Sequence, residues 1–318
     1  MNYFKTAVLM AALMALFGMF GAMLGGLEGM SVMLIIGAVM NFYTYWTSDS
    51  RVLRAYSARE VDAASAPEFY GIVQKLAANA GLPMPKVYII DNPQPNAFAT
   101  GRNPEHAAVT ATTGLLKTLE PREIAGVMAH ELAHVKNHDT LTMTIAATIA
   151  GAISTIAHFG FWFGGHRSDG QRVNPIVMIL MLVAAPLAAS ILQLAISRSR
   201  EYAADRMGAR IAQDPQGLAA ALAKIAYGAQ SIPNYTAEDY PATASLFIIN
   251  PLTGHGTDSL FATHPATENR IAALRQLAGE MTGIRPLIES GRPSTPVVTP
   301  DQPPAAPWGP GRKRGPWG

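Results

Sequence analysis

Cysteine is absent from the 318 residues. That removes disulfides, thiolate nucleophiles and cysteine-ligated zinc or iron–sulfur sites. Charge is scarce too: 14% of residues are Asp, Glu, Lys or Arg, where a soluble domain carries about a quarter. Hydrophobic residues make up 49%, so the deficit points to membrane segments. Neither sign of charge dominates. A net charge of +2 is too mild for a nucleic-acid partner, and none is expected. There is no internal repeat.

Four long apolar runs are present. Between Lys5 and Glu28 lie 22 uncharged residues, about 33 Å as a helix and enough for a bilayer core. The run is longer than the apolar part of a signal peptide and a second run follows at once, so it reads as an anchor. The second, Gly29 to Ser48, ends in Phe42, Tyr43, Tyr45 and Trp46, residues suited to the membrane–water interface. The third runs from Thr140 to Gly165, interrupted only by His158, and the fourth from Val173 to Ser197 with Pro186 inside. Runs three and four read as a membrane hairpin, with two buried core helices as the alternative. Arg51, Arg54 and Arg59 follow run two, and Arg198 and Arg200 follow run four. This excess places both termini on the cytoplasmic side, although Arg167 and Arg172 sit in the opposite loop. Gly21 and Gly25 form a GxxxG, a weak sign of helix pairing.

The chain therefore divides into a transmembrane hairpin (1–48), a first part outside the membrane (49–139), a second membrane hairpin (140–197), a second part outside the membrane (198–284) and a Pro/Gly-rich tail (285–318) too poor in apolar residues to fold. Within 49–139, Ser65 is expected to cap a helix that Pro67 opens and Gly81 closes. "KVYII", "NAFAT" and "AAVTAT" are expected strands. Helix resumes at Pro121 and is expected to run through His138 into the third apolar run. "RSREYAADRMGARIA", "GLAAALAKIAYGA" and "ATENRIAALRQLAGEM" are also helical by pattern.

The chemistry concentrates in "HELAH". His130 and His134 are four residues apart and stack on one helix face, where two imidazoles can share one zinc ion. Glu131 follows the first histidine and can act as general base toward a metal-bound water. A catalytic zinc needs a third ligand. His138 is about 12 Å along the helix from His130 and cannot share its metal. Asn137 and Thr140 stand where a metzincin would have Gly and His. A carboxylate from elsewhere remains. "SRSREYAADRMG" offers Glu201, with Asp205 one turn on to accept the outer N–H of a ligand histidine. Spacing alone reads Glu201 equally well as a surface charge paired with Arg198 or Arg206.

Together, "HELAHVKNHDTLTMT", "SRSREYAAD", "NAFATG" and "FATHPATENRIAAL" resemble the HtpX-type bacterial membrane zinc metalloproteases, relatives of the CAAX prenyl endoproteases. The resemblance runs from the first apolar run to about Leu277. It implies an α+β, mostly helical membrane protein, with four membrane helices and a zincin-like catalytic domain holding a small β-sheet. It implies one zinc per chain on His130, His134 and Glu201, with Glu131 as base. It implies that His264 and Arg270 assist catalysis by binding substrate or stabilising the tetrahedral intermediate, and that Asn96, Ala97, Phe98 and Ala99 lie on an edge strand that takes an extended substrate. The expected enzyme sits in the bacterial inner membrane, with the lipid bilayer and membrane proteins or peptides as partners. Its active site faces the cytoplasm, and it serves membrane protein quality control and stress response. The alternatives are a specific processing peptidase of the CAAX type and a non-catalytic, zinc-stabilised scaffold.

Overall fold

A computed structural model describes residues 2–150, 198–252 and 265–289. The protein is mostly helical, with one small mixed sheet. Helix α1 (Asn2–Ala55) breaks at Gly25 and Gly26, where Gly26 takes a φ of 61° that a side chain would resist. Its two arms then fold back on one another. A Cβ on Gly21 would collide with the Gly29 carbonyl oxygen, and the Asn41 side chain donates to the Met10 carbonyl at 3.1 Å. The apolar hairpin is thus built on glycine contacts. Gly21 is packed, whereas Gly25 belongs to the break rather than to the packing face.

Among the described residues one helical stretch is long and apolar enough to cross a membrane: Gly25–Thr47, with 23 residues and a mean hydropathy of 1.4. The apolar stretch of the first arm, Thr6–Met19, is shorter. Four spans are not established by these residues. The third apolar run is described only as far as residue 150, and the fourth lies outside the described residues, as does the tail from 290 on. α1 continues past Ser48 to Ala55, so the anchor helix reaches into the region read as the catalytic domain.

That domain begins with β1 (Arg59–Val61), α2 (Pro67–Ala80), β2 (Lys86–Ile90), β3 (Ala97–Gly101) and β4 (Ala107–Thr112). The sheet order is β1-β2-β4-β3, with β2 and β4 parallel and the outer strands antiparallel to their neighbours. β3 is therefore an edge strand. Ser65 does not cap α2. Ala66 takes the cap position, and the Ser65 hydroxyl donates to Asp62 at 2.7 Å in the preceding turn. Gly81 closes the helix in the left-handed conformation, as its position predicts.

After α3 (Thr113–Thr118) comes α4 (Pro121–Lys136). It opens with a capping box in which the Glu120 N–H donates to the Glu123 carboxylate at 2.8 Å. Every residue from Glu123 to Val135 is buried, as befits a helix covered on all sides. β3 and β4 are buried at every position. Alanines at 97, 99, 107, 108 and 111 keep this sheet thin beneath α4. Then follow α5 (139–150), α6 (Arg198–Ala212), α7 (Pro215–Ser231), the short α8 (Tyr235–Asp239), a 3₁₀ turn (Pro241–Leu246) and α9 (Thr267–Glu280). Helices α2, α6 and α7 pack around α4 and bury one apolar core. A second cluster joins α1 and α5 to β3 through Leu9, Tyr56, Phe98, Ile145 and Phe247.

Candidate metal centre

The site is built where α6 crosses α4. Gly208 permits the crossing: a Cβ there would lie 2.7 Å from the His130 backbone nitrogen and 2.8 Å from its Cα. This close approach brings Glu201, at the start of α6, onto the face where α4 stacks its two histidines. The Nε2 atoms of His130 and His134 are 3.2 Å apart. Glu201 Oε2 is 3.8 Å from His130 Nε2, and Glu201 Oε1 is 3.5 Å from His134 Nε2. Ligands held about 2.0–2.1 Å from one tetrahedral ion are spaced by roughly 3.3 Å, so the donor set fits zinc. The exposures are 1%, 4% and 2% for His130, His134 and Glu201, and these three form a metal-ligating group among the described residues.

Both histidines have an outer carboxylate. Asp205 Oδ1 lies 3.0 Å from His130 Nδ1, and Asp139 Oδ2 lies 3.2 Å from His134 Nδ1. A proton held on each Nδ1 leaves each Nε2 with its lone pair toward the centre. Asp205 has the place its spacing from Glu201 predicts. The position of Asp139 as partner of His134 was not legible, because the helix was expected to run on through His138. α4 instead ends at Lys136, and His138 adopts a φ of 56°. The break turns Asp139 back toward His134, which an unbroken helix would not do. The signal available in the sequence was an Asp five residues after the second histidine, just past an Asn-His pair.

Arg270 lies behind this layer with no exposure to solvent. Its Nε and Nη2 donate to the two Asp205 oxygens at 2.8 and 2.7 Å, and its Nη1 donates to the Ile248 carbonyl at 2.8 Å. Nη1 also stands 3.8 Å from Glu201 Oε2. Burial opposes ionisation of Asp205, but the charge and hydrogen bonds of Arg270 outweigh it and hold the carboxyl near a pKa of about 2. Burial lowers the pKa of His130. Burial also pulls His134 down, yet the charge of Glu201 and the bond to Asp139 win and raise it to about 9.

Glu131 is buried, and its Oε1 has no hydrogen-bond partner. Burial, with the neighbouring Glu201 charge, pushes its pKa up to about 8, opposed by His134, Arg270 and the Ala99 backbone. The Ala99 contact places the base beside β3. Of the four residues expected to receive substrate on that strand, three are engaged by the chain itself. The Asn96 side chain donates to the Ile249 carbonyl at 2.8 Å. The Ala97 carbonyl accepts from the Ile248 N–H at 3.0 Å. The Phe98 ring lies 5.0 Å from Phe247 and 6.0 Å from Tyr56. His264 lies outside the described residues.

Residues 63–278, about two thirds of the chain, match peptidase family M48. The chain belongs to that family. His130, His134 and Glu201 lie within that match as one buried cluster, with Glu131 of the HExxH stretch next to them in the chain. Among solved structures the M48 chain is similar to the crystal structure of S. mikatae Ste24p, with 20% identity and a TM-score of 0.43. The similarity covers 77% of this chain and 57% of that one, so this chain spans little more than half the length of Ste24p.

Proposed function

We propose that the protein is a zinc-dependent endopeptidase of the bacterial inner membrane that cleaves misfolded or damaged membrane proteins at the cytoplasmic surface. The observation that carries this reading is the convergence of His130, His134 and Glu201 within tetrahedral reach, with the buried Glu131 carboxylate, its Oε1 without a hydrogen-bond partner, beside them. A purely structural metal site has no use for a buried base at that position. A zinc ion held by these three residues supplies an acidified water and a Lewis acid for the substrate carbonyl.

The chain's own groups do the rest. Glu131, raised by burial toward neutral pH, takes a proton at its carboxylate and returns it to the departing amide nitrogen. Asp205 and Asp139 hold His130 and His134 in the tautomer that leaves Nε2 free. β3 passes beside Glu131 and is the strand on which this reading has an extended polypeptide add, with Phe247 and Ile248 already bonded to its outer side at Phe98 and Ala97. The apolar stretch Gly25–Thr47 of α1 and the aromatics Phe42, Tyr43, Tyr45 and Trp46 at its end support placement at a bilayer.

The test is proteolysis of an unfolded membrane protein by the purified full-length protein in detergent. The reading expects cleavage to cease with chelator and return on adding zinc. Chelator-resistant cleavage would contradict it.

A further inference from the structure

Two carboxylates serve the histidines from outside, and each has an arginine behind it. Arg270 grips Asp205 behind His130. The same order recurs behind His134 with other residues. Asp139 turns Oδ2 to His134 Nδ1 at 3.2 Å and Oδ1 to Arg200 Nη1 at 3.4 Å. One carboxylate thus bridges ring and guanidinium. Asp139 is 1% exposed and the Arg200 side chain 14%, so the pair sits largely out of water. A carboxylate that deep is costly unless it is paired. The two arms differ in grip. Arg270 gives Asp205 bonds of 2.8 and 2.7 Å, whereas Arg200 approaches Asp139 at 3.4 Å.

Arg200 is also the residue before Glu201. Glu201 Oε1 faces the other ring nitrogen of His134, 3.5 Å from Nε2. Two consecutive residues of α6 therefore act on opposite sides of one imidazole, Glu201 directly and Arg200 through Asp139. Their places in the chain add a second link. Asp139 opens α5 just after the break at His138, where the chain enters the third apolar run. Arg200 stands near the start of α6, just after the fourth. The pair joins the points where the stretch 140–197 leaves the metal site and returns to it. Hydroxyl pairs hold α5 elsewhere: Thr142 with Thr6 of α1 at 2.9 Å, and Thr144 with Thr100 of β3 at 3.1 Å. These fix α5 to the anchor helix and the sheet, and Arg200 fixes its first residue to α6.

We infer that Arg200 is a positioning residue of the metal centre. Through Asp139 it sets the orientation and tautomer of His134, and it ties that ring to the junction of α5 with α6. A ligand histidine whose outer carboxylate can swing away loses both its fixed ring plane and its fixed proton. Arg200 prevents the swing by holding the Asp139 oxygen that faces away from the ring. The His134 arm is the softer of the two, because its ion pair is longer and partly exposed. The role of Arg200 rests on the zinc reading of this site and not on what the enzyme cuts.

The experiment compares the full-length native protein in detergent with Arg200→Met, Arg200→Lys, Asp139→Asn and the double variant of Arg200→Met with Asp139→Asn. Zinc affinity is read by chelator competition, and the visible spectrum of the cobalt-loaded proteins reports the ligand geometry. Arg200→Met should weaken zinc by about three- to tenfold. That is less than the 10–100-fold expected for an outer partner of the ring itself, because the ion pair is partly exposed. Its cobalt spectrum should shift, and Arg200→Lys should recover most of the loss. The double variant should bind zinc within about twofold of Asp139→Asn alone, since Arg200 acts through Asp139. Should Arg200→Met fail to fold, Arg200→Gln takes its place with the same expectations. Additive losses in the double variant overturn the inference, as does an Arg200→Met protein with native zinc affinity and a native cobalt spectrum. If that protein also shows a raised KM, Arg200 is a substrate contact instead. A native protein that binds no zinc overturns this role and the proposed function together, whereas a native zinc site indifferent to Arg200 overturns this role alone.

Discussion

Replacing Arg270 by methionine separates two roles for this residue: direct action on substrate, and support of the metal site through Asp205. The side chain is fully buried and its guanidinium already makes three short hydrogen bonds, two to Asp205 and one to the Ile248 carbonyl. Methionine fills much of the volume but leaves Asp205 a buried carboxylate without its cation. Breaking a buried ion pair in this way costs about 3–5 kcal/mol. Asp205 would then gain a proton far more readily, since Arg270 is what holds it near a pKa of about 2 against burial. A protonated Asp205 no longer fixes the His130 tautomer. Loss of such an outer partner weakens metal binding by about 10–100-fold, or roughly 1.4–2.7 kcal/mol. The assay is zinc competition with a calibrated chelator, with thermal unfolding of the zinc-free protein measured alongside. Adding Asp205→Asn to Arg270→Met should cost less than the two single effects combined, because the double variant has no unpaired charge. An Arg270→Met protein with native zinc affinity and native stability, but turnover reduced more than about 100-fold, would refute the positioning argument. It would assign Arg270 to the reacting substrate instead. The sign of the pH dependence follows from the depressed pKa. The contribution of this pair is complete above about pH 4, where Asp205 would ionise in the unfolded chain as well. It is lost as pH falls from there toward 2.

Gly208→Ala should separate α6 from α4, since the new methyl meets the His130 backbone at 2.7–2.8 Å; zinc affinity and melting temperature should both fall, with an overpacking cost of about 1–3 kcal/mol, and a variant more stable than the native protein would show that the crossing is looser than described. Asp139→Asn should weaken zinc binding by about 10–100-fold without removing a ligand, as read by the same chelator competition; unchanged affinity would reduce the 3.2 Å approach to His134 to incidental packing. Zinc loading at pH 7 should release at least one proton, because metal-free His134 titrates near 9 and must lose its proton to bind. Calorimetry in buffers of different ionisation enthalpy measures this release, which should fade as pH rises through 9; no release at pH 7 would contradict the raised value.

The parts of the fold legible in the sequence are those governed by local rules. Pro67 and Gly81 delimited α2, alternation and β-branched residues marked β2 and β4, and the spacing of His130 and His134 placed both on one face of a helix. Glu201 was the hardest ligand to read from spacing. It is 67 residues from His134 by number, and what brings it home is a glycine contact, Gly208 on the His130 backbone, that leaves no mark in hydrophobic periodicity. Asp205 followed once Glu201 was taken as a ligand, because one helical turn is a local distance. Asp139 did not follow, since its position depends on the positive φ of His138, which residues other than glycine adopt only uncommonly. The same limit explains why β3 was legible as a strand while its outer neighbour was not. Phe247 and Ile248 are about 150 residues away in sequence, and their single bridge has no strand pattern of its own.

Metal content and peptide-bond cleavage, measured together on native protein and Glu131→Gln, test the central claim most directly. The account predicts about one zinc per chain in both proteins, because the substitution spares His130, His134 and Glu201. It predicts that cleavage by the variant falls by at least about 10²–10⁴-fold, because the buried carboxylate that moves the proton is gone. Near-native turnover by the variant would contradict the account, as would a native protein that cleaves while binding no metal.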